Sequence, residues 1–380
     1  MDEKGEENIV AALEHRDRIS DLHVFVGAGI SLGRRVVAMQ EPLPALTNLY
    51  VGTFHDGSPV GPVLPDGFLG GYAPCLRKFI LQRVAFPAFP KFVLHATQIV
   101  FLSLADVPNS WYTSIPPGAM ASCLAALPDL ETLFISFQSP PSIPLQTTLP
   151  TRIHSVLPAL TSFRFKGVSE YLEGVIAGID TPHLNELRIV FFMNLIFDVP
   201  QLHRFIGRTE RLRPLNPARL QFFGNMIRII LGSSPPRFDL KMKYEEPDRQ
   251  LSSVTQVCNE DSPLLSQVEG LGIFGTPSIE LAGKSEVNSS QWLELFRPFS
   301  AVRSLYVSER LEPLVAAALR GLTGERAMEV LPTLRYLSLD ELRLPGSVWD
   351  AMVPFVAARQ LLGHPIVVLR RQNPSPITQV

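Results

Sequence analysis

The chain has 380 residues, 46% of them hydrophobic and 18% charged, with a formal net charge of −2 and a pI near 6.5. That composition supplies apolar surface for a sizeable core and excludes a globally disordered chain. The near-neutral balance offers no electrostatic case for nucleic acid or an anionic membrane. No stretch approaches the roughly 18 apolar residues of a membrane span, and the acidic start at 1–8 lacks the regions of a signal peptide.

The expected setting is therefore the cytoplasm or nucleus, with no membrane and no nucleic acid as partner. Cys75, Cys123 and Cys258 fit it, being odd in number and without metal-like spacing, and they read as reduced, buried small residues.

Residues 1–17 read as an N-terminal capping region, with a short amphipathic helix over 7–15 carrying Ile9, Val10 and Leu13. A phrase then begins to recur: Leu-Pro-x-Leu, two free positions, a large apolar residue, one free position and another apolar residue. It stands at 43–51, 127–135, 157–165 and 331–339, with looser copies at 73–81 and 181–189 that keep the proline. A version without proline occupies 19–24, 99–104, 268–273 and 302–307. The anchors Ile19, Leu46, Leu76, Ile99, Leu130, Leu160 and Leu184 are spaced from the low twenties to about thirty.

That period belongs to leucine-rich repeats, in which one strand and its return cannot bury their own apolar side and must stack on a neighbour. The expected fold is α/β: a leucine-rich-repeat solenoid over 18–345 with about ten to twelve units, a curved parallel sheet and helical or irregular returns. Helical returns are predicted at 34–40, 118–126, 168–178 and 201–210.

Between 211 and 266 the phrase fades, and these residues read as degenerate units continuing the solenoid. Strands are predicted at 218–223 and 237–244, a polar helix at 248–267, and Gly232-Ser233-Ser234-Pro235-Pro236 is a candidate linker. Helices at 290–299 and 311–329 flank the strand at 302–307. A helix over 347–362 with Pro354 inside it lies in the C-terminal cap, 346–369, and 370–380 reads as a disordered tail.

The phrase occurs together with MQEPLPAL at 39–46, FLGG at 68–71, GVSEYLE at 167–173 and LHRFIGRT at 202–209. In this combination the chain resembles the expanded F-box-like leucine-rich-repeat proteins of mushroom-forming fungi, over residues 7–369. The resemblance implies a substrate receptor of an F-box (SCF) ubiquitin ligase, in which an N-terminal F-box docks the Skp adaptor and the repeats hold a protein target. The chain departs from that pattern in two ways. Fewer than about twenty residues precede the first strand, where an F-box would stand, and the asparagine that many such repeats carry after the strand is missing. The expectation is that an F-box is missing from the start, leaving the Skp adaptor as a partner of the longer chain, or that this member binds without recruiting a ligase. No adaptor-contacting residue is carried over.

Enzymatic signals are weak. The run Val24-Phe25-Val26-Gly27-Ala28-Gly29-Ile30-Ser31-Leu32-Gly33 places glycines between a strand and a helix, as a pyrophosphate site requires, and resembles the start of a sirtuin cofactor loop. The following helix spans about two turns, and no acidic residue ends a strand some twenty residues on, so the run reads as a turn. The eight histidines are dispersed without metal spacing, and no GxSxG elbow is present. The expectation is no catalytic residue, no metal and no cofactor, with an undetected enzyme as the third alternative after an interaction scaffold without a ligase.

In the phrase, the last two apolar positions point inward, so the residues between and beside them face the other way. Stacked, they form the expected concave binding face, with Tyr50, Lys78, Arg164, Lys166, Glu186, Arg188, Tyr306 and Tyr336 as candidate partner-binding residues. Arg and Tyr are the side chains that most often anchor protein contacts. Trp111 and Trp292 are expected in the core.

Overall fold

The computed structural model describes residues 15–26, 39–53, 62–142, 155–192, 199–212, 216–244, 250–260, 265–276, 285–340 and 347–370. The predicted helices at 7–15 and 34–40, the glycine run 27–33 and the tail beyond 370 lie essentially outside these residues. The chain divides into two compact units, one of Met1–Phe192 with Val199–Arg211 and one of Met193–Asp198 with Leu212–Val380.

In the first unit, β1 (Asp21–Val26), β2 (Asn48–Thr53), β3 (Lys78–Gln82), β4 (Phe101–Val107), β5 (Thr132–Phe137), β7 (Ser162–Gly167) and β9 (Glu186–Phe191) pair in chain order, every pair parallel. The two-residue strands β6 (Ser155–Val156) and β8 (Ile179–Asp180) form a separate parallel pair. The register aligns the repeated phrase with itself. Leu49, Phe79, Leu102, Leu133, Phe163 and Leu187 stack as one buried row. Val51, Leu81, Leu104, Ile135, Phe165 and Ile189 stack two residues on as a second.

The proline has a visible role. In all six proline-bearing copies the residue at the fourth position donates its N–H to the carbonyl of the first, as in Leu46 to Leu43, Leu160 to Leu157 and Leu334 to Leu331. Proline at the second position of such a turn has its φ preset, and the turn aims the chain into the strand.

Immediately afterwards two successive N–H groups converge on one carbonyl of the preceding repeat. Thr47 and Asn48 donate to Ser20, Arg77 and Lys78 to Thr47, Glu131 and Thr132 to Val100, and Thr161 and Ser162 to Glu131. Arg303 and Ser304 on Glu269, then Arg335 and Tyr336 on Arg303, repeat the arrangement in the second unit. Backbone groups thus satisfy one another at the strand starts, the accounting an asparagine side chain would otherwise help to close.

The returns of the first unit hold α1 (Phe89–Val93), α2 (Trp111–Ser114), α3 (Pro117–Ala125), α4 (Ser169–Ile176) and α5 (Pro200–Arg208), with α3 on α4 and α4 on α5. Aromatic rings fill the space between sheet and returns. Phe79 packs on Phe89 and Phe92, and Tyr112 stacks on Phe137 at a centroid distance of 3.9 Å. Trp111 and Trp292 are buried, as expected.

The second unit differs from expectation at 211–266. β10 (Ala218–Phe222), β11 (Met226–Leu231) and β12 (Arg237–Lys243) form an antiparallel meander, and β10 also pairs in parallel with β13 (Gly270–Gly275). These are not degenerate parallel units. The predicted linker 232–236 is the turn of the β11–β12 hairpin, where Gly232 has φ +85° and a β-carbon would collide with the Pro236 carbonyl. The meander carries its own ion pair: Arg228 grips the buried Asp239 with Nε and Nη2 at 2.8 and 2.6 Å.

From β13 the parallel pattern resumes through β14 (Ser304–Val307), β15 (Tyr336–Leu339) and β16 (Val367–Arg370). α6 (Gln250–Glu260), α7 (Ser285–Phe296), α8 (Glu312–Arg320) and α9 (Ser347–Leu361) pack in succession. Strand β16 adds a parallel neighbour where only a cap and a tail were expected. Cys123 and Cys258 are buried, whereas Cys75 is exposed, because it fills the free third position of its turn.

Candidate functional site on the outward sheet face

Each strand of the first unit sends alternate side chains away from its buried rows. This places Tyr50 on β2, Lys78 on β3, Arg164 and Lys166 on β7, and Glu186 and Arg188 on β9 on the same outward face. Tyr306 on β14 and Tyr336 on β15 occupy outward positions in the second unit.

The charged residues come together. Glu186 accepts from Arg164 Nη2 at 3.1 Å, Ser162 Oγ at 3.1 Å and Arg188 Nε at 2.7 Å, so both arginines share one carboxylate. Burial pushes the Glu186 pKa up, but the hydrogen bonds and charge of Arg188 and Arg164, with Ser162, hold it below its ordinary value.

Lys166 pairs with Asp106, a residue the sequence reading missed, with Nζ 3.0 Å from Oδ1. Asp106 also accepts from Ser136 Oγ at 3.0 Å and lies 3.8 Å from Arg83. Burial raises its pKa too, and Lys166, Ser136 and Arg83 together bring it below the usual carboxylate value. Asp106 takes a positive φ of +47°, where the β4–β5 register shifts, and that kink turns its carboxylate toward the lysine. The nearest signal in the sequence is polar Asp106 one turn of the alternation late after Leu104.

Among the described residues the cluster holds four cations, Arg83, Arg164, Lys166 and Arg188, against two carboxylates, Asp106 and Glu186. It is basic, but less so than the arginines and lysine alone suggest.

Aromatic residues flank it. Tyr50 stacks with His23 at 5.7 Å and meets Phe25 at 4.9 Å with the rings tilted, and its hydroxyl donates to Gln82 Oε1. Lys78 lies over the Phe101 ring at 5.4 Å, and Lys166 over Phe192 at 5.8 Å. Phe25 and Phe101 stand at positions that the pattern turns outward but are not among the expected binding residues, and Phe192 lies just beyond β9.

In the second unit Tyr306 donates to both oxygens of Asp340 at 2.8 Å and packs on Phe274, while Tyr336 is exposed. Among the described residues no three His, Cys, Asp or Glu side chains gather as metal ligands, and no helix is long and apolar enough to cross a membrane.

No family model matches the chain, and no curated protein matches it. Among solved structures it is similar to the leucine-rich repeat-containing protein LegL7 from Legionella pneumophila, at 10% identity over 91% of this chain and 99% of that one, with a TM-score of 0.35. A likeness at that level adds nothing to the strand registers.

Proposed function

We propose that the chain is a protein-interaction module whose outward sheet face in the first unit binds a protein partner. One observation carries the reading: Arg164 and Arg188 are held on the single carboxylate of Glu186, beside Lys166 and within a face that also presents the rings of Phe25, Tyr50 and Phe101. Arginines positioned by a neighbour lose less freedom on binding than free ones, and Arg and Tyr dominate the energetic centres of protein interfaces. The excess of cations favours a partner segment with acidic side chains. No catalytic residue, metal or cofactor is part of this reading, and neither nucleic acid nor membrane is assigned as a partner.

By resemblance, the partner is a target to be ubiquitinated, and the chain is the recognition component of an F-box-type ligase in the cytoplasm or nucleus. The Skp adaptor is a partner on this reading only where a longer chain carries an F-box ahead of these residues. A binding scaffold without a ligase is the alternative.

The test uses two measurements. Proteins retained by the wild-type chain are compared with those retained by the Arg164→Glu/Lys166→Glu variant, and the strongest is purified and titrated against both. Loss of affinity by tenfold or more with an unchanged melting curve supports the face, and equal affinity rejects it. Retention of purified Skp adaptor by a longer chain carrying the upstream coding sequence separates the ligase reading from the scaffold.

A further inference from the structure

We propose that a cavity in the second unit binds a small organic anion: an apolar body bearing one carboxylate or phosphate ester. The site is separate from the outward-face reading and does not depend on it.

The cavity has a volume of about 550 Å³ and lies between the turn that opens the last proline-bearing repeat, the end of α9 and the loop leading into β16. That size suits a small organic ligand. Its walls include Arg303, Arg335, Arg359, His364, Tyr336 and Pro365, and no carboxylate among the described residues lines it. Three arginines without a lining anion are an unbalanced set, while the tyrosine and proline offer apolar surface for a ligand's body.

Arg359 is the unusual member. Its side chain is fully buried, yet it ion-pairs with no carboxylate among the described residues. It is clamped by carbonyls instead: Nη2 donates to Pro332 at 2.9 Å and Leu334 at 3.1 Å, and Nη1 to Ala327 at 3.4 Å and the Met328 sulfur at 3.0 Å. Its Nε is buried without a partner among the described residues.

Carbonyl dipoles hold the guanidinium in place but do not cancel its charge, and a buried unpaired charge is costly. Burial lowers its pKa accordingly. An oxyanion in the adjoining cavity supplies the missing negative charge through space, without displacing the carbonyls that already occupy both Nη atoms. At the rim, among the described residues, Arg303 ion-pairs only with Glu269, at 3.4 Å in an exposed pair, and Arg335 is exposed with no ion pair. Both are available to the same anion.

The experiment titrates the full chain calorimetrically with phenyl phosphate, benzoate, inorganic phosphate and phenol. The expected result is that phenyl phosphate or benzoate binds at least tenfold more tightly than both inorganic phosphate and phenol. The stronger of the two tells whether the site takes a phosphate ester or a carboxylate. Arg359 is needed for the carbonyl clamp, so the variants are Arg335→Glu and Arg303→Gln at the rim, with the thermal midpoint measured alongside. Arg335→Glu is expected to weaken binding at least tenfold, and Arg303→Gln at least threefold, without lowering the midpoint. Phenol binding as tightly as the anions overturns the proposal. So does silence toward both organic anions at millimolar concentration, or affinity unchanged in both variants.

Discussion

Lys166 Nζ and Asp106 Oδ1 meet at 3.0 Å although 60 residues separate them and β5 runs between their strands. The contact exists because the β4 chain kinks at Asp106, and it ties one cation of the outward face to the strand two places away. Each side chain is about one-third exposed, so the pair contributes less than about 1 kcal/mol to stability. Its effect on binding is larger. Asp106→Asn leaves Lys166 and Arg83 without their carboxylate, and the face is expected to bind an acidic partner several-fold more tightly at low salt. Titration of the purified partner at two ionic strengths checks this; an unchanged affinity at low salt contradicts it.

Stability resides in the buried rows. Phe163 and Phe165 stand in adjacent rows of the same strand, both essentially inaccessible to solvent, and Phe165 packs against Phe137, Tyr171 and Phe191. Phe165→Ala removes a large ring where several rigid neighbours prevent collapse of the space. The expected loss is about 3 to 5 kcal/mol, read from denaturant unfolding. Arg164→Ala, one residue away on the exposed side, is expected to cost less than about 1 kcal/mol. Equal losses would contradict the inward and outward assignment of the strand.

Those rows were legible because strand alternation has a period of two and the phrase repeats it with a proline turn in front. Leu160, Phe163 and Phe165 could be placed inside from spacing alone. The meander was not legible for a related reason. Met-Ile-Arg-Ile-Ile-Leu in β11 has no proline turn before it, and nothing local distinguishes a strand that pairs antiparallel from one that starts a new repeat. Pairing direction there follows from short turns at both ends, one of them built on Gly232. The outward face was legible in position but not in charge. Alternation puts Arg164, Lys166, Glu186 and Arg188 on one side, with Glu186 meeting Arg188 along β9 and Arg164 across on β7, whereas Asp106 reaches Lys166 only through a backbone kink.

Successive returns are joined by a buried carboxylate. Glu173 on α4 accepts the N–H of Gln201 at 2.7 Å and of Leu202 at 2.8 Å, capping the first turn of α5 from the neighbouring repeat. These are N–H groups that a helix start cannot satisfy internally, and a negative charge there also meets the positive end of the helix dipole. Glu173→Ala orphans both donors in a site that water cannot readily fill. The expected cost is about 1 to 3 kcal/mol, with hydrogen exchange at 201 and 202 accelerated beyond the global change. Glu173→Gln, which keeps an acceptor, is expected to cost less. Exchange that rises uniformly through the unit would show that the cap is not local.

Glu312, at the start of α8, sets a pH dependence of the opposite sign to the outward-face carboxylates. Burial pushes its pKa up to about 7; the hydrogen bond from the Asp340 N–H opposes this, and the charges of Asp340 and Glu309 reinforce it. Asp340 is itself occupied by the Tyr306 hydroxyl and the Glu309 N–H. The folded value lies above the ordinary 4.5, so the folded chain holds this proton more tightly than the unfolded chain does. Below about 4.5 both states carry the proton and above about 7 neither does, so between these limits stability falls as pH rises. A shift of that size corresponds to roughly 3 kcal/mol. Other groups titrate in the same window, so the informative quantity is the difference between wild type and Glu312→Gln, whose amide still accepts from Asp340. That difference is expected to turn against the wild type between pH 5 and 7.5 and to level off above. A profile flat across the window would mean that Glu312 is ionised in the folded chain throughout, with Asp340 and Glu309 too well screened to oppose it.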